Sequence, residues 1–369
     1  MKCESRAMMS KDKLSEESCW DLLSRFPHGN LSGVTSSGTP VLRTLNHAIL
    51  ENAIYFHGAA RGEKRGMMGR PAVFGCEEVV AQIPSYWRDP ILACPATTWF
   101  ESAQAHGTLE VVEDIELKAR AMAALMARIQ PEGGHLPIDA SAIQYKKMLN
   151  ATAVFRLVPG YLTGRSKIGQ ATKPDQMAAI LHGLWRRGTA QDLRGIETVL
   201  AGNPRAQRPG HLRGPGGIEF LVHPTEDLAR EAAHLLEGEY WNRGFDLEQI
   251  AKAQTSASAW IGARDSETNR LVGTAAATSN HSKHAYIFDV LLAPAYRGKG
   301  LGKAMMLALL DHPGVRRAGT ISLRTRDCHR FYSQFGFQED DGIENPNGVS
   351  SMRRVFPSPP DLPQGYQPP

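Results

Sequence analysis

Through the N-terminal half of the chain, short apolar runs recur between polar and turn-forming residues, the pattern of a strand-rich domain. NLSGVTS, PVLRTLN, AIYFHG, AVFGCEEVV, TWFESAQAHGTLEVV and TAVFRLV are β-branched or aromatic runs separated by Gly, Pro, Asn or Asp. Together they predict an antiparallel β-barrel. Two helices accompany them. Cys19, Leu22, Leu23 and Phe26 recur at helical spacing behind Ser15, a candidate N-cap. Met122, Leu125, Met126 and Ile129 form an apolar stripe that Pro131 ends.

Downstream the rhythm changes. PTEDLAREAAHLLEGEYW places Leu228, Ala232, Leu235 and Leu236 on one helical face. Three strand-like runs follow, AWIGARD, RLVGTAAAT and AYIFDVLL, then a glycine-rich turn, a helix LGKAMMLALLDH, a strand GTISLRT and a helix-like DCHRFYSQFGF. This predicts a mixed α/β domain. Between the halves, AGNPRAQRPGHLRGPGG loses all periodicity and reads as a linker, its Arg205, Arg208 and Arg213 solvated or else in reach of a phosphate. The expected division is a barrel domain over 1–200, a linker over 201–217, the α/β domain over 218–345 and a Pro-rich tail over 346–369, extended at its end PSPPDLPQGYQPP.

Composition narrows the classes. With 369 residues, 42% hydrophobic and 22% charged, the chain has material for two cores. Lys plus Arg number 42 against 38 for Asp plus Glu, a net charge of +4, too small for a dedicated nucleic-acid binder. A small anionic ligand suits that balance. The five cysteines (Cys3, Cys19, Cys76, Cys94, Cys328) are scattered, without a CxxC pair, which argues against a disulfide framework and a zinc knuckle. No membrane-spanning run or secretory signal is visible, so the expected setting is cytoplasmic and reduced, without nucleic-acid or membrane partners.

The glycine turn carries the sharpest chemistry. PAYRGKGLGKAMM lies between a strand and a helix, where unpaired N–H groups and the helix dipole favour anions. Gly298, Gly300 and Gly302 remove the Cβ atoms that would hold a phosphate away from the main chain, while Arg297, Lys299 and Lys303 add charge. Gly302-Lys303-Ala304 lacks the hydroxyl of a Walker P-loop. DVLLAPAYRGKGLGKAMMLALL followed by LRTRDCHRFYSQFGF resembles the Gcn5-related N-acetyltransferase (GNAT) superfamily, over roughly residues 217 to 340. The resemblance implies that the amides of Arg297, Gly298, Lys299, Gly300, Leu301 and Gly302 cradle the pyrophosphate of acetyl-CoA. It also implies that the main chain near Leu292 pairs with the pantetheine arm.

Transfer to an amine needs two proton managers, because a free ammonium with a pKa of about 10.4 must be deprotonated before it attacks a thioester. Asp289, the carboxylate of YIFDVLL, is a candidate base, or else a satisfied strand Asp. Tyr332 matches the position where the superfamily often carries a tyrosine general acid, or else packs with Phe331, Phe335 and Phe337. His281 and His284 read as an exposed loop, with no ligand set for a metal, and Cys328 as packing. For the acceptor pocket, LLEGEYWNRGFDLEQIAKAQ offers Tyr240, Trp241 and Phe245 as apolar walls and Glu237, Glu239, Asp246 and Glu248 as attractors for a cation. Packing and solvated charge explain them equally well. The expected substrate is a small amine.

SGTPVLRTLNHAILENAIYFHGAARGEKRGMMGRPAVFG, with HGTLEVVEDIELKARAMAALMARIQPEGG and YLTGRSKIGQ, resembles the pyridoxamine-5′-phosphate-oxidase-like FMN-binding split barrels. Arg43, Thr44, Arg61 and Lys64 together would neutralise a flavin monoester phosphate, or else are solvated loop groups. His57 would sit near the isoalloxazine, or else cap a barrel end; Lys167 is either a further cation or surface charge. Trp99 and Glu101 depart from the family pattern. The resemblance implies a homodimer through the barrel. The expectation is an acetyl-CoA-dependent N-acetyltransferase fused to an FMN-binding, flavoprotein-like split barrel. Its rivals are a flavin-dependent reductase or oxidase with a CoA-sensing domain, and a cofactor-sensing transcriptional regulator; haem is the alternative barrel ligand.

Overall fold

The computed structural model describes residues 12–59, 63–340 and 348–355. Contacts divide the chain into two units. One comprises residues 1–82 and 98–171; the other comprises 83–97 and 172–369. No helix among the described residues is long and apolar enough to cross a membrane.

The first unit begins with helix α1 (Glu16–Arg25), started by Ser15, whose side chain accepts from the Ser18 N–H at 3.1 Å. The strands are β1 (His28–Val34), β2 (Pro40–Asn46), β3 (Ala48–Leu50), β4 (Ala53–Gly58), β5 (Pro71–Ile83), β6 (Thr97–Val112) and β7 (Ala153–Lys167). They form a seven-stranded sheet in the order β2-β1-β5-β6-β7-β4-β3, curled as in a split barrel. Each of the six runs lies in a strand. YLTGRSK simply prolongs β7 beside β6, with a register shift between His106 and Gly107. Leu22, Leu31, Phe56, Phe74, Ala105 and Phe155 fill the interior, with α1 laid against it. Helices α2 (Ile115–Ile129), capped by Asp114, and α3 (Ile143–Ala151) complete the unit.

The second unit holds helices α4 (Pro174–Arg187) and α5 (Ala190–Gly202), strand β8 (Ile218–Leu221) and helices α6 (Glu226–Leu236) and α7 (Leu247–Thr255). Strands β9 (Ala259–Asp265), β10 (Leu271–Ser279) and β11 (His284–Leu292) follow, then helix α8 (Leu301–Leu310), β12 (Thr320–Thr325), helix α9 (His329–Ser333), β13 (Gln338–Glu339) and β14 (Ser350–Val355). The sheet order is β13-β14-β12-β11-β10-β9-β8, with β11 and β12 parallel.

Four expected boundaries change, the first being that residues 83–97, expected within the barrel domain, belong to the second unit. Residues 172–202 are not barrel: they form α4 and α5, and α4 docks within the second unit through Trp185, whose indole N–H donates to Asp311 at 2.8 Å. The Arg316 guanidinium donates to the Trp185 carbonyl at 3.2 Å. Nor is 201–217 a solvated linker. Arg208 is buried; its guanidinium donates to both Glu197 carboxylate oxygens, at 3.0 and 2.7 Å, and to the Phe220 carbonyl at 2.9 Å. Composition concealed this because an arginine looks solvated until its partner, here on α5, is known. Finally, Ser350–Val355 within the expected tail pairs with β12 as a sheet strand. PSPPDLPQGYQPP lies outside the described residues.

Candidate active site

The site of the second unit is built around an irregularity in β11. Ala276 faces Phe288 and Thr274 faces Leu291, so on β11 two residues, Asp289 and Val290, oppose the single Ala275. Asp289 adopts φ +52, the left-handed region that a non-glycine residue occupies at a cost. The parallel pairing of β11 with β12 runs from His284 to Ile287, opposite Thr320 to Leu323, and is not continued beyond it. The strands part at the bulge, and a cavity of about 620 Å³ opens there, with Trp241, Tyr286, Asp289, Arg326 and Tyr332 in its wall.

Asp289 is buried, and its carboxylate is held from both sides. The Trp241 indole N–H donates to Oδ1 at 2.9 Å, and the Gln254 amide donates to Oδ2 at 2.7 Å. Gln254, fully buried, is itself fixed: its Oε1 accepts from the Trp260 indole N–H and from the Thr274 hydroxyl, both at 3.2 Å. Burial raises the Asp289 pKa above its ordinary value, and the donors from Trp241, Gln254 and Asn242 oppose that rise. A carboxylate so placed is a stronger base than a solvated one.

Tyr332 lines the same cavity from α9 and is buried among Phe331 and Phe337. Desolvation drives its pKa upward, with Cys328, Tyr240 and Asp327 adding to the rise, so the phenol keeps its proton at neutral pH. Its hydroxyl has no hydrogen-bond partner among the described residues. Phe335 and Phe337 are core. Cys328 also faces the cavity; burial raises its pKa and holds the thiol protonated.

The glycine turn runs from the end of β11 through a 3₁₀ turn (Pro294–Tyr296) to α8. Gly298 and Gly300 have φ of +74 and +79, and an added Cβ at either would meet nothing within 4 Å. Open space therefore borders the main chain. The amides of Gly298, Lys299, Gly300, Leu301, Gly302 and Lys303 have no acceptor among the described residues. Arg297 differs from the expectation: its amide already donates to the Pro294 carbonyl at 3.2 Å, and its guanidinium Nε donates to the Leu292 carbonyl at 2.8 Å. The Arg297 amide is thus spent on the turn, and the Leu292 carbonyl is capped from within. The exposed Lys299 ammonium lies 6.0 Å over the Tyr296 ring, whose hydroxyl donates to Asp265 at 2.5 Å. Lys303 is exposed on the first turn of α8.

In the first unit, Arg43 on β2 is exposed and its guanidinium donates to the Leu42 carbonyl at 2.7 Å. The Thr44 hydroxyl donates to Asn30 Oδ1 at 2.9 Å, so it is not a spare donor. Lys64 folds over Gly58, where a Cβ would come within 2.5 Å of Nζ, and lies 5.8 Å from the Phe155 ring centre. Its pKa is lowered, first by burial and then by the charge of Arg43. Two like charges are held together there, a disposition that an anion relieves. His57 is exposed at the end of β4, and Arg61 lies outside the described residues. Trp99 is core, and Glu101 accepts from the Ser166 hydroxyl at 2.8 Å, so the two departures from the expected pattern have structural roles.

Sequence reasoning missed Gln254, Tyr286, Arg324 and Arg326. No local spacing marks them: Gln254 on α7 reaches Asp289 on β11, while Tyr286 on β11 and Arg324 and Arg326 at the end of β12 line the cavity together.

The two units define a chain that joins a split barrel to an α/β domain with an open glycine turn at the head of a helix. Residues 15–166 match the family of pyridoxamine 5′-phosphate oxidase, and residues 225–337 match the acetyltransferase (GNAT) family; the chain carries one domain of each kind. Among curated relatives, it is 39% identical over 92 residues to histone acetyltransferase TAP1 of Glycine max, covering 25% of this chain and 38% of that one. It is 39% identical over 87 residues to GCN5-related N-acetyltransferase 2, chloroplastic, of Arabidopsis thaliana, covering 23% and 32%. The chain spans well under half the length of these relatives. An FAD and heme binding protein from Mycobacterium smegmatis aligns over 42% of this chain and 73% of its own, at 22% identity and a TM-score of 0.36.

Proposed function

We propose that the protein is an acetyl-CoA-dependent N-acetyltransferase acting on a small amine, joined to a flavin-binding barrel. The observation that carries the reading is the row of unpartnered amides from Gly298 to Lys303 at the head of α8. A helix dipole alone contributes about 0.3–1 kcal/mol toward an anion, so convergent amides and the flanking lysines supply the remainder for a pyrophosphate. With the pyrophosphate at that turn, the thioester arm follows the free side of β11 toward the bulge. There the acceptor amine loses its proton to Asp289, directly or through water, and its nitrogen attacks the thioester carbonyl. The C–S bond breaks, and the departing thiolate takes the proton of the Tyr332 hydroxyl. Acetylated amine and free CoA are the products.

Arg43 and Lys64 fit the phosphate of a flavin mononucleotide, with Thr44 and His57 nearby in sequence on strands of the same sheet. A bound flavin supplies hydride or electron transfer. The cations orient its phosphate end. A homodimer through the barrel is the assembly we propose with it.

Calorimetric titration with CoA, paired with thiol release from acetyl-CoA in the presence of amines, tests the transferase reading. Binding together with amine-dependent release is the expected result. A folded protein that neither binds CoA nor releases thiol overturns it. Flavin absorbance in the purified protein tests the barrel.

A further inference from the structure

The cavity at the bulge has a second charged feature, at its mouth. Arg326 follows the end of β12, and its guanidinium carbon lies 3.7 Å from the centre of the Tyr240 ring; both residues line the cavity. Stacking of this kind fixes a planar cation without using any of its N–H groups. Among the described residues, the Arg326 guanidinium has no hydrogen-bond or ion-pair acceptor. Arg324 and Asp327 line the same wall, and Asp289 lies at the buried end. An arginine held flat, with its donor fork unused, at the entrance of a site whose inner end holds a base is a receptor for a planar anion.

We propose that the acceptor is a bifunctional small molecule, an amine that also carries a carboxylate, with the amine at Asp289 and the carboxylate on the Arg326 fork. This rests on the transferase reading and names the substrate class of that site. The charge arrangement follows the ligand: the cation is exposed at the rim and the carboxylate is sunk in the wall, so a molecule with the opposite polarity spans them. Arg326 then determines specificity, and Tyr240 positions it. An anionic group of CoA is the competing source of the same chemistry at Arg326, and the kinetics separate the two.

The experiment measures initial rates of thiol release by the full chain with matched acceptors: an ω-amino acid, its primary amide and the alkylamine of equal length. The wild type is expected to favour the amino acid at least tenfold in kcat/KM. Arg326→Gln should collapse that ratio toward one through a rise in KM for the amino acid, and Arg326→Lys should restore only part of it, since an ammonium lacks the fork. Tyr240→Leu should weaken the preference, because the cation loses its platform. Arg317→Gln, which removes an exposed cation elsewhere in the unit, should keep the ratio and so separates recognition from net charge. Turnover without a carboxylate preference, or a rise in KM for acetyl-CoA in Arg326→Gln with the acceptor ratio intact, overturns the inference while leaving the transferase reading standing. Absence of CoA binding and of turnover with every amine removes the transferase reading, and this inference with it.

Discussion

At Gly300 a single residue does two jobs: it starts α8 from the left-handed region, and it leaves bare the space beside its amide. Gly300→Ala should cost the fold about 1–2 kcal/mol, the ordinary penalty of an L-residue in that region. It should weaken CoA binding at least tenfold, because the new methyl group lies where the phosphate approaches. Denaturant titration beside calorimetry separates the two effects, and unchanged affinity would place the pyrophosphate elsewhere. Asp289 makes a second residue-scale prediction. If it accepts the amine proton, activity rises with pH as the carboxyl ionises, and burial sets that acid limb above the ordinary carboxylate value. Trp241→Phe removes a hydrogen bond that stabilises the ionised form, so the limb should move to higher pH. An unmoved limb assigns the base to another group.

Elements show where sequence reasoning reached and where it stopped. The barrel strands were legible because their β-branched and aromatic runs are broken by Gly, Pro, Asn or Asp; alternation survives in β1 and β5, where Leu31 and Phe74 face the core, whereas β4 is buried from Ala53 to Phe56. Strands β9 to β11 and helix α8 were equally plain. Helices α4 and α5 were missed even though their signals are present: Pro174 opens the first, and Thr189 with Asp192 forms a capping box for the second. The Gly- and Pro-rich stretch that follows drew the boundary instead, and what binds it, Glu197 on α5, is not a local signal. Glu197→Leu leaves the Arg208 charge buried without its main partner and should destabilise the second unit by about 2–4 kcal/mol. Adding Arg208→Leu should recover much of that loss. Chemical denaturation of the single and double variants checks this, and equal losses in both would make the pair irrelevant to the stability of the segment. Within the site, the glycine turn could be read from the sequence, but the network through Gln254 could not. Its members lie on α7, β9, β10 and β11, and spacing along the chain says nothing of their meeting.

For the whole molecule, acid stability follows from one buried histidine in each unit. In the first, His47 donates from Nε2 to the Leu23 carbonyl at 2.9 Å, and burial lowers its pKa to about 4. In the second, His312 accepts the Gly314 N–H at Nδ1 at 3.0 Å, and burial lowers its pKa to about 3. Both folded values lie below the unfolded value of about 6.5, so the unfolded chain binds protons first as pH falls. Stability present above pH 6.5 should therefore decline from there toward pH 4 in the first unit and pH 3 in the second, by a few kcal/mol each. His47→Gln and His312→Gln should each flatten the decline in one unit, read as separate transitions in thermal melts across pH. Slopes unaltered by either change would assign acid sensitivity to the carboxylates.

The interruption of the first unit by residues 83–97 has a practical consequence for dissecting this chain. Trp87 in that segment lies where a Cβ on Gly183 would come within 2.4 Å of its ring, and the Arg187 guanidinium carbon is 4.8 Å from the ring centre. A fragment cut at residue 172 would carry α4 with its Trp87 seat empty, so it should be less stable and less soluble than its length suggests. A synthetic peptide of residues 83–97 should bind that fragment and recover part of the loss, as split proteins are complemented by the piece they lack.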